Sequence, residues 1–379
     1  MSSKFLTTFL AALILFSCSE KEIVPERFYP RNDHEAYWYS LKQANLLNTA
    51  LGKEWLTAAQ KPFDEQIKVQ LPYQEAFEIS NLKPDALGYR FDVKRGQKVL
   101  IDINLITNDT TQVFVDLFRI DNDSLGTYRQ VASADSVYDL AFAPRKDASY
   151  LLRLQPELLR GGQFTITIEN VPTLAFPVAG KNVRAIQSFF GDPRDGGRRD
   201  HHGVDIFAKR HTPILAPIAA DVRFVGTRGI GGKVVWLYDR KTGNHLYFAH
   251  LQEQKVKRYQ KVNPGDTIGT VGNTGNAKYT PPHLHFGIYN NGPINPFSFI
   301  VEEYKRPSKF GADTTLLGKE IVLKEMLPLW NQMNKSAQVS DTLFIGEQLK
   351  IAAVNHVYVR VTSLSGKKGV LTKDVIRKL

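Results

Sequence analysis

The chain has 379 residues, of which 42% are hydrophobic and 23% are charged, and its formal net charge is +11. This composition excludes an intrinsically disordered chain, and the length favours two or three folded domains over one. The basic residues are spread out and accompany no nucleic-acid-binding motif, so we expect no nucleic-acid partner.

Residues 1–18 have the pattern of an export signal. Lys4 precedes an apolar run from Phe5 to Phe16, which is too short to span a membrane. Cys18, the single cysteine of the sequence, ends a Leu-Phe-Ser-Cys segment that resembles the bacterial lipobox. We therefore expect a lipid on Cys18 that anchors the protein to a membrane of the cell envelope, in the periplasm or at the outer membrane. The alternatives are a buried cysteine or plain secretion with cleavage nearby.

Residues 19–65 are predicted to form a tether followed by helices. Two prolines oppose regular structure at the start of this segment. Asp33 has the character of an N-cap for a helix over residues 34–51 that Gly52 would end. A second, shorter helix is expected over residues 53–60.

Apolar and polar residues alternate with period two in residues 66–172. The alternation is clearest in one short run of Ile101, Asp102, Ile103 and Asn104. Clusters of turn-forming residues separate such runs, and this spacing predicts an antiparallel β-sandwich. Because the segment carries no motif with chemistry of its own, we expect it to be a spacer or a binding module.

The rest of the chain is predicted to be β-structure as well. In residues 173–303, strands are expected near residues 221–227, 233–239, 244–250, 267–272 and 283–289. Residues 315–379 contain short β-like runs that are similar to bacterial SH3 domains. The predicted fold class is therefore mainly β: a helical segment with a sandwich, a central antiparallel domain with a groove, and a small SH3-like barrel.

Histidines concentrate between residues 201 and 285, in three short groups. Histidine with carboxylate is a ligand set for Zn²⁺, which binds three protein side chains and leaves one position for water. In a strand, residues i and i+2 share a face, so His283 and His285 would face one site together. His201 and Asp205 would share a strand face in the same way, and Gly203 would leave room for a metal. The helical His-Glu-x-x-His zinc motif is absent.

Short sequence blocks follow one another through this region. In chain order they are Phe176-Pro177-Val178, Phe190-Gly191-Asp192, His201-His202-Gly203-Val204-Asp205-Ile206, Thr212-Pro213-Ile214, Tyr247 to Leu251, Pro264 to Gly275, and His283-Leu284-His285-Phe286. These blocks and their order resemble those of lysostaphin-type (LytM-like) zinc metallopeptidases. The resemblance implies an antiparallel β fold with a groove and hydrolysis of peptide bonds in bacterial peptidoglycan, so peptidoglycan peptide stems are the expected partner.

The same resemblance assigns roles to five residues. His201, Asp205 and His285 correspond to the Zn²⁺ ligands, and His250 and His283 correspond to the catalytic pair. Metal-activated water is then the nucleophile, with one imidazole as base and the other stabilising the oxyanion. We take His283 as the base. In a Gram-negative envelope, D-alanyl–diaminopimelate crosslinks would be the expected substrate.

Several neighbouring residues are left without a firm role. His211 and Pro281 stand where the family commonly has glycine, and both bear on substrate fit more than on metal binding. His202, His211 and His245 are expected to be bystanders. Tyr247 is a weaker candidate for a donor in the groove, because a core tyrosine is the simpler interpretation.

Two segments could cover the groove: the helical segment 33–60 and the loop near residues 192–200. The loop carries Asp192, Asp195 and Asp200, which either reach the open metal position or belong to a solvated charged loop.

Two other functions also stay open. A catalytically inactive relative that activates another cell-wall hydrolase would usually have lost metal ligands, and this chain keeps all of them. A carbohydrate- or protein-binding envelope lipoprotein would require the order of the blocks to be coincidental.

Overall fold

The computed structural model describes residues 30–106, 111–122, 124–134, 139–302, 311–331, 338–372 and 374, and the predicted export signal with Cys18 lies outside them. The described chain is mainly antiparallel β-sheet, which confirms the predicted fold class. Within the described ranges, no helix has the length and apolar character needed to cross a membrane.

Two helices open the described part of the chain: α1 (Asp33–Gln43) and α2 (Ala50–Asp64). The helix predicted through residue 51 is wrong, because the chain leaves the helical conformation at Asn45, whose φ is +57°. Thr49 then caps α2 by accepting a hydrogen bond from the Gly52 amide at 3.1 Å. Gly52 therefore lies in the first turn of a helix rather than at the end of one, and Pro62 lies inside the last turn of α2.

Nine strands form the predicted sandwich, in two facing sheets. They are β1 (Ile67–Lys68), β2 (Tyr73–Ile79), β3 (Leu87–Val93), β4 (Gln97–Leu105), β5 (Val113–Asn122), β6 (Thr127–Ser133), β7 (Leu140–Phe142), β8 (Ala148–Pro156) and β9 (Gly162–Pro172). One sheet has the order β1-β3-β8-β5-β6, and the other contains β2-β9-β4-β7. The alternating residues Ile101, Ile103, Ile166 and Ile168 are buried between the sheets.

Strand β5 departs from the one-sided alternation, because both of its faces are buried. Its inner face carries Val113, Val115 and Leu117, as expected for the sandwich core. On its outer face, Phe114 packs against Trp55 of α2, whose indole N–H donates to the Pro156 carbonyl at 2.9 Å. The two helices therefore cover this sheet of the sandwich and not the predicted groove of the central domain.

The central unit contains thirteen strands among the described residues. They are β10 (Ile186–Ser188), β11 (Pro193–Arg194), β12 (Arg199–Asp200), β13 (Val204–Phe207), β14 (Pro213–Leu215), β15 (Ala220–Thr227), β16 (Lys233–Tyr238), β17 (His245–Ala249), β18 (Leu251–Gln254), β19 (Lys261–Val262), β20 (Thr267–Val271), β21 (His283–Tyr289) and β22 (Pro293–Ile294). The five strands predicted here are confirmed to within one residue at each end.

The main sheet of the central unit has the order β10-β13-β21-β17-β16-β15-β19, with β22 beside β21. A three-stranded sheet, β14-β20-β18, lies against it around one apolar core, and β11 and β12 form a separate hairpin. A short helix, α3 (Phe297–Ile300), joins this unit to the sandwich. The Leu174 amide donates to the Phe299 carbonyl at 2.9 Å, and the Ser298 hydroxyl donates to the Arg95 carbonyl at 2.5 Å.

The tail contains β23 (Glu320–Val322), β24 (Leu327–Trp330), β25 (Val339–Leu343), β26 (Gln348–Val354), β27 (Tyr358–Ser363) and β28 (Lys368–Thr372). These strands surround an apolar core of their own. They also continue the sandwich, because β26 pairs with β2 through Ala76 opposite Val354 and Phe77 opposite Ala353. The result is one ten-stranded sheet shared by both units. The likeness of the tail to SH3 domains stays a prediction.

A buried charge cluster fastens the tail to the sandwich. Glu75 on β2 is fully buried and accepts hydrogen bonds from Arg360 of β27 at 2.8 Å and 3.0 Å. The hydroxyls of Tyr73 and Tyr89 donate to the same carboxylate. Burial, together with the charge of Glu75, raises the pKa of both tyrosines well above the ordinary value of 10.0. The Glu75 carboxylate therefore accepts four hydrogen bonds at the seam between the tail and the sandwich.

We expect Arg360→Met to lower the free energy of unfolding by about 3–5 kcal/mol, because it leaves the Glu75 carboxylate buried without a counter-charge. Urea denaturation of the chain that starts after Cys18 measures this loss of stability. Adding Glu75→Gln to the same variant should recover part of it, since a neutral amide still accepts from the tyrosines. The matched control is Arg258→Gln on the exposed surface. Equal stability of Arg360→Met and the control would contradict the proposed seam.

His34 is a half-buried titratable group that docks α1. Its ring stacks on Trp55 with centroids 4.9 Å apart, and its Nε2 donates to the Gln155 side-chain oxygen at 2.8 Å. Gln155 in turn donates to the Trp55 carbonyl at 2.8 Å. Burial lowers the pKa of His34 from its ordinary 6.5 to about 4, and the nearby Arg153 charge acts in the same direction.

This pKa makes the docking of α1 sensitive to acid. Between pH 6.5 and 4 the unfolded chain binds a proton at His34 that the folded chain does not, so stability is complete at neutral pH and decreases as the pH falls. From pH 7 to pH 5 the loss should be about 2 kcal/mol. Urea unfolding at both pH values measures it. His34→Gln should reduce this pH dependence, and an unchanged dependence in the variant would contradict the assignment.

Candidate metal centre and catalytic cleft

The pairing of β13 with β21 brings the central residues of the site together. Asp205 lies opposite His285 and Phe207 lies opposite His283 in the antiparallel register. Because side chains alternate across a strand, His283 and His285 face the same side, while Leu284 and Phe286 are fully buried on the other. His283 and His285 therefore share one face of β21, as their i, i+2 spacing predicts.

His201 reaches the same point from a loop. The predicted continuous strand from His201 to Asp205 is wrong, because β13 starts only at Val204. The His201 backbone pairs instead with the loop before it, donating to the Asp192 carbonyl at 2.9 Å and accepting from the Gly191 amide at 2.9 Å. These two bonds hold the histidine over the strand that follows, so that its ring still meets Asp205.

Three side-chain atoms converge at this point: His201 Nε2, Asp205 Oδ1 and His285 Nδ1. The two nitrogens each lie 3.0 Å from the carboxylate oxygen and 2.9 Å from one another. Ligands of a tetrahedral zinc, at their usual bond lengths, are separated by about 3.3 Å. The triangle therefore fits three corners of a Zn²⁺ tetrahedron, and the residue types fit the same metal.

The electrostatics of the cluster favour a cation. Burial would raise the pKa of Asp205, but hydrogen bonds from His201 and His285 outweigh it and hold the carboxyl far below its usual range. Burial lowers the pKa of His285, against the opposing effect of its bond to Asp205. A carboxylate beside an imidazole that resists protonation is the state in which both groups bind a metal.

Gly203 is required by the close approach of two strands. A β-carbon at this position would lie 2.5 Å from the Phe286 carbonyl oxygen and 2.8 Å from the His285 ring. Any other residue would therefore displace the ring that carries one of the three converging atoms.

A second set of contacts orients the converging groups. His201 Nδ1 donates to the Phe189 carbonyl at 2.8 Å, so Nε2 is the nitrogen that faces Asp205 and His285. Arg194, on the β11–β12 hairpin, donates to the other oxygen of Asp205 at 3.0 Å. Second contacts of this kind are typical of metal sites. Arg194 was not predicted from the sequence, in which the carboxylates were the only candidate ligands of that loop.

The predicted catalytic pair lies beside the cluster, with ring centroids of His250 and His283 5.1 Å apart. Each ring places Nδ1 at a backbone carbonyl: Thr274 at 2.8 Å for His250 and Pro281 at 2.9 Å for His283. A neutral imidazole held this way donates through Nδ1 and leaves Nε2 as an acceptor. His283 Nε2 is 4.0 Å from the Asp205 carboxylate oxygen that belongs to the cluster.

His250 is held in a costly conformation. Its φ is +61°, in the left-handed region that side chains other than glycine rarely adopt, and its amide donates to the Gly231 carbonyl at 2.8 Å. Burial lowers its pKa to about 4, while the hydrogen bond to Thr274 acts in the opposite direction. The ring is therefore neutral at physiological pH.

A cleft of about 610 Å³ opens over the five histidine and aspartate side chains. One wall is aromatic: the Trp236 ring lies 4.5 Å from Tyr247 and 5.3 Å from Tyr289, between centroids. Burial raises the pKa of Tyr247 to about 12. Tyr247 thus lines the cleft rather than the core, and the sequence analysis did not single out the other two aromatic residues.

The carboxylates of the loop near residue 200 do not join the cluster. Asp192 accepts from the Phe189 amide at 2.7 Å and from the Ser188 hydroxyl at 2.9 Å. Asp195 pairs with Arg199. Among the described residues, the group that could hold a metal contains no carboxylate besides Asp205.

The remaining histidines lie around the cleft or away from it. His202 is on the cleft rim, and His245 stacks against Tyr238 at 4.9 Å. His211 has a φ of +67°, which explains why glycine suits this position and why a histidine there carries a conformational cost of about 1–2 kcal/mol.

Comparisons with known proteins place this region in a recognisable group. Residues 199–296 match the model of Peptidase family M23. The chain is 37% identical over 133 residues to the L-Ala–D-Glu endopeptidase of Bacillus subtilis, covering 33% of this chain and 40% of that protein. It is 36% identical over 100 residues to the peptidoglycan DD-endopeptidase ShyC of Vibrio cholerae, covering 26% of this chain and 22% of that protein.

The chain thus spans less than half the length of these two curated relatives. Among solved structures, the catalytic domain of lysostaphin from Staphylococcus simulans is 29% identical, with a TM-score of 0.26, and the match covers 28% of this chain and 85% of that one.

We expect Arg194→Met to weaken zinc binding about 10- to 100-fold, because Asp205 then loses the donor that orients it. Competition with a chromogenic chelator measures the dissociation constant. Arg198→Met, on the same hairpin but with its side chain bonded to the Asp195 carbonyl, is the control. Unchanged or tighter binding in Arg194→Met would mean that the arginine competes with the metal instead of orienting its ligand.

Proposed function

We infer, from the premise that residues 199–296 are a Peptidase family M23 domain, that the protein is a zinc endopeptidase that cleaves peptide crosslinks of bacterial peptidoglycan. The observation that carries this proposal is the convergence of His201, Asp205 and His285 at the floor of an open cleft, beside two further imidazoles. A catalytic zinc site has this form, with three protein ligands and one open side.

In this proposal His201 Nε2, Asp205 Oδ1 and His285 Nδ1 hold the metal. Zinc, when bound there, polarises the scissile carbonyl and lowers the pKa of a bound water toward neutrality. Arg194 keeps the second oxygen of Asp205 occupied, which leaves the first for the metal. The hydrogen bond to the Phe189 carbonyl holds the His201 ring in the tautomer that ligation requires.

His283 is the proposed base. Its Nδ1 is engaged by the Pro281 carbonyl, so Nε2 is free to accept a proton from the attacking water, and this nitrogen lies close to the ligand carboxylate. The proton then passes to the leaving nitrogen. His250 faces the same space, and its neutral ring leaves Nε2 as an acceptor that can orient the attacking water.

The substrate and the location are part of the same proposal. Both curated relatives are named as endopeptidases, one of them explicitly for peptidoglycan. A lipid on Cys18 would hold the cleft at the cell envelope, and the sandwich would space it from the membrane. The aromatic wall of the cleft suits an extended peptide chain, since aromatic rings provide apolar contact with polar edges.

Digestion of purified peptidoglycan by the soluble chain starting after Cys18 tests this function, with products identified by mass spectrometry. We expect loss of crosslinked dimers with the wild type and none with His285→Ala, which should also lose zinc. His250→Ala and His283→Ala should keep zinc close to one equivalent and lose activity, because they leave the three ligands in place. His245→Ala is the control and should retain both zinc and activity.

The other outcomes identify the alternatives. A folded, zinc-free protein that cleaves nothing would contradict the proposed enzyme and favour a regulator of another wall hydrolase. A zinc-loaded protein that leaves peptidoglycan intact but cleaves other peptides would contradict the substrate and keep the peptidase.

A further inference from the structure

The cleft contains an arginine whose charge is not compensated. Three arginines line it: Arg194, Arg199 and Arg228. The two carboxylates that line the cleft are each paired with one of them, Asp205 with Arg194 and Asp195 with Arg199. Across the described ranges, the Arg228 guanidinium has no hydrogen bond or ion pair. The substrate side of the cleft therefore carries one free positive charge.

Arg228 also differs from other exposed arginines of this unit. Arg223 lies over the Tyr238 ring at 4.8 Å and Arg258 over the Tyr259 ring at 4.6 Å, so each has an aromatic partner. Within the described chain, Arg228 has no such contact with a ring. Its side chain is exposed at the cleft without a partner from its own protein.

The free charge lines the same cleft as the residues of the proposed metal site. It acts on the neighbouring Tyr247, whose pKa it lowers against the larger effect of burial. The Tyr247 ring is 5.8 Å from the His285 ring, between centroids. A group bound by Arg228 would therefore lie in the same cleft as the reacting bond.

The backbone at Arg228 is held in a fixed position relative to the catalytic pair. Its amide donates to the Gly232 carbonyl at 2.8 Å, and the His250 amide donates to the Gly231 carbonyl in the same turn at 2.8 Å. A β-carbon on Gly231 would lie 2.0 Å from the Tyr247 hydroxyl, so the turn sits directly on that ring. Substrate recognition gains from such a fixed anchor, since less freedom is lost on binding.

We propose that Arg228 binds a free carboxylate of the peptide substrate within the cleft, and that the enzyme selects wall peptides that carry such a group. The guanidinium forms paired hydrogen bonds with a carboxylate, which a neutral amide cannot reproduce. Peptidoglycan stems carry free carboxylates, whereas unbranched glycine bridges carry none between their ends. The inference rests on the proposed endopeptidase function and specifies its substrate class.

A pair of substrates tests this selection. The first is a crosslinked muropeptide dimer purified after muramidase digestion, and the second is the same dimer with its carboxylates converted to carboxamides by carbodiimide and ammonia. The wild type should cleave the acid form with a kcat/KM about tenfold higher than the amide form. Arg228→Gln should lose about the same factor on the acid form, mainly through KM, and leave the amide form unchanged.

Matched variants distinguish recognition from a structural effect. Arg228→Lys should retain part of the preference, since it keeps the charge and loses the paired geometry, and Arg258→Gln should behave as the wild type. Equal losses on both substrates in Arg228→Gln, or an undiminished preference, would overturn the proposal. A wild type that cleaves neither form contradicts the endopeptidase function itself, so the two failures are distinguishable.

Discussion

The register between β13 and β21 is the constraint on which the candidate site depends. It sets Asp205 directly across from His285, and it places His283 one pleat further along the same face. A slip of one residue would turn these side chains into the apolar core and bring Leu284 to the cleft. The register is strongly specified, because Leu284 and Phe286 fill the core on the other side. The packing of the sheet therefore determines where a metal can bind.

Local periodicity explains how much of the structure could be predicted from the sequence. Strands with period-two patterns, such as that of His283 and His285, were predicted within a residue, because burial on one face imposes that pattern. The loop position of His201 was not predicted, since a loop can bring an imidazole ring to the same point as a strand. Arg194 and Arg228 were missed for a related reason: their importance depends on what lies across the cleft, and no spacing along the chain encodes it.

Two of the buried carboxylates, Asp205 and Glu75, have similar partners but different consequences. Each accepts hydrogen bonds from an arginine and from uncharged side chains. At Glu75 every partner is internal, so the cluster contributes only to holding the tail. At Asp205 the converging imidazole nitrogens are exchangeable partners, since a metal can replace the hydrogen bonds between them. A cluster that is exposed to the cleft can bind a metal, whereas an enclosed cluster is structural.

The seam between β2 and β26 affects how shortened forms of the protein would behave. The tail supplies the neighbour that covers one side of β2, and without it the sandwich would end in a bare strand. Such an edge presents unpaired amides and carbonyls that recruit other chains, so truncation favours aggregation. Loss of activity after removing the tail would then report on self-association of the remaining sheet as much as on any contact that the tail makes with the cell wall.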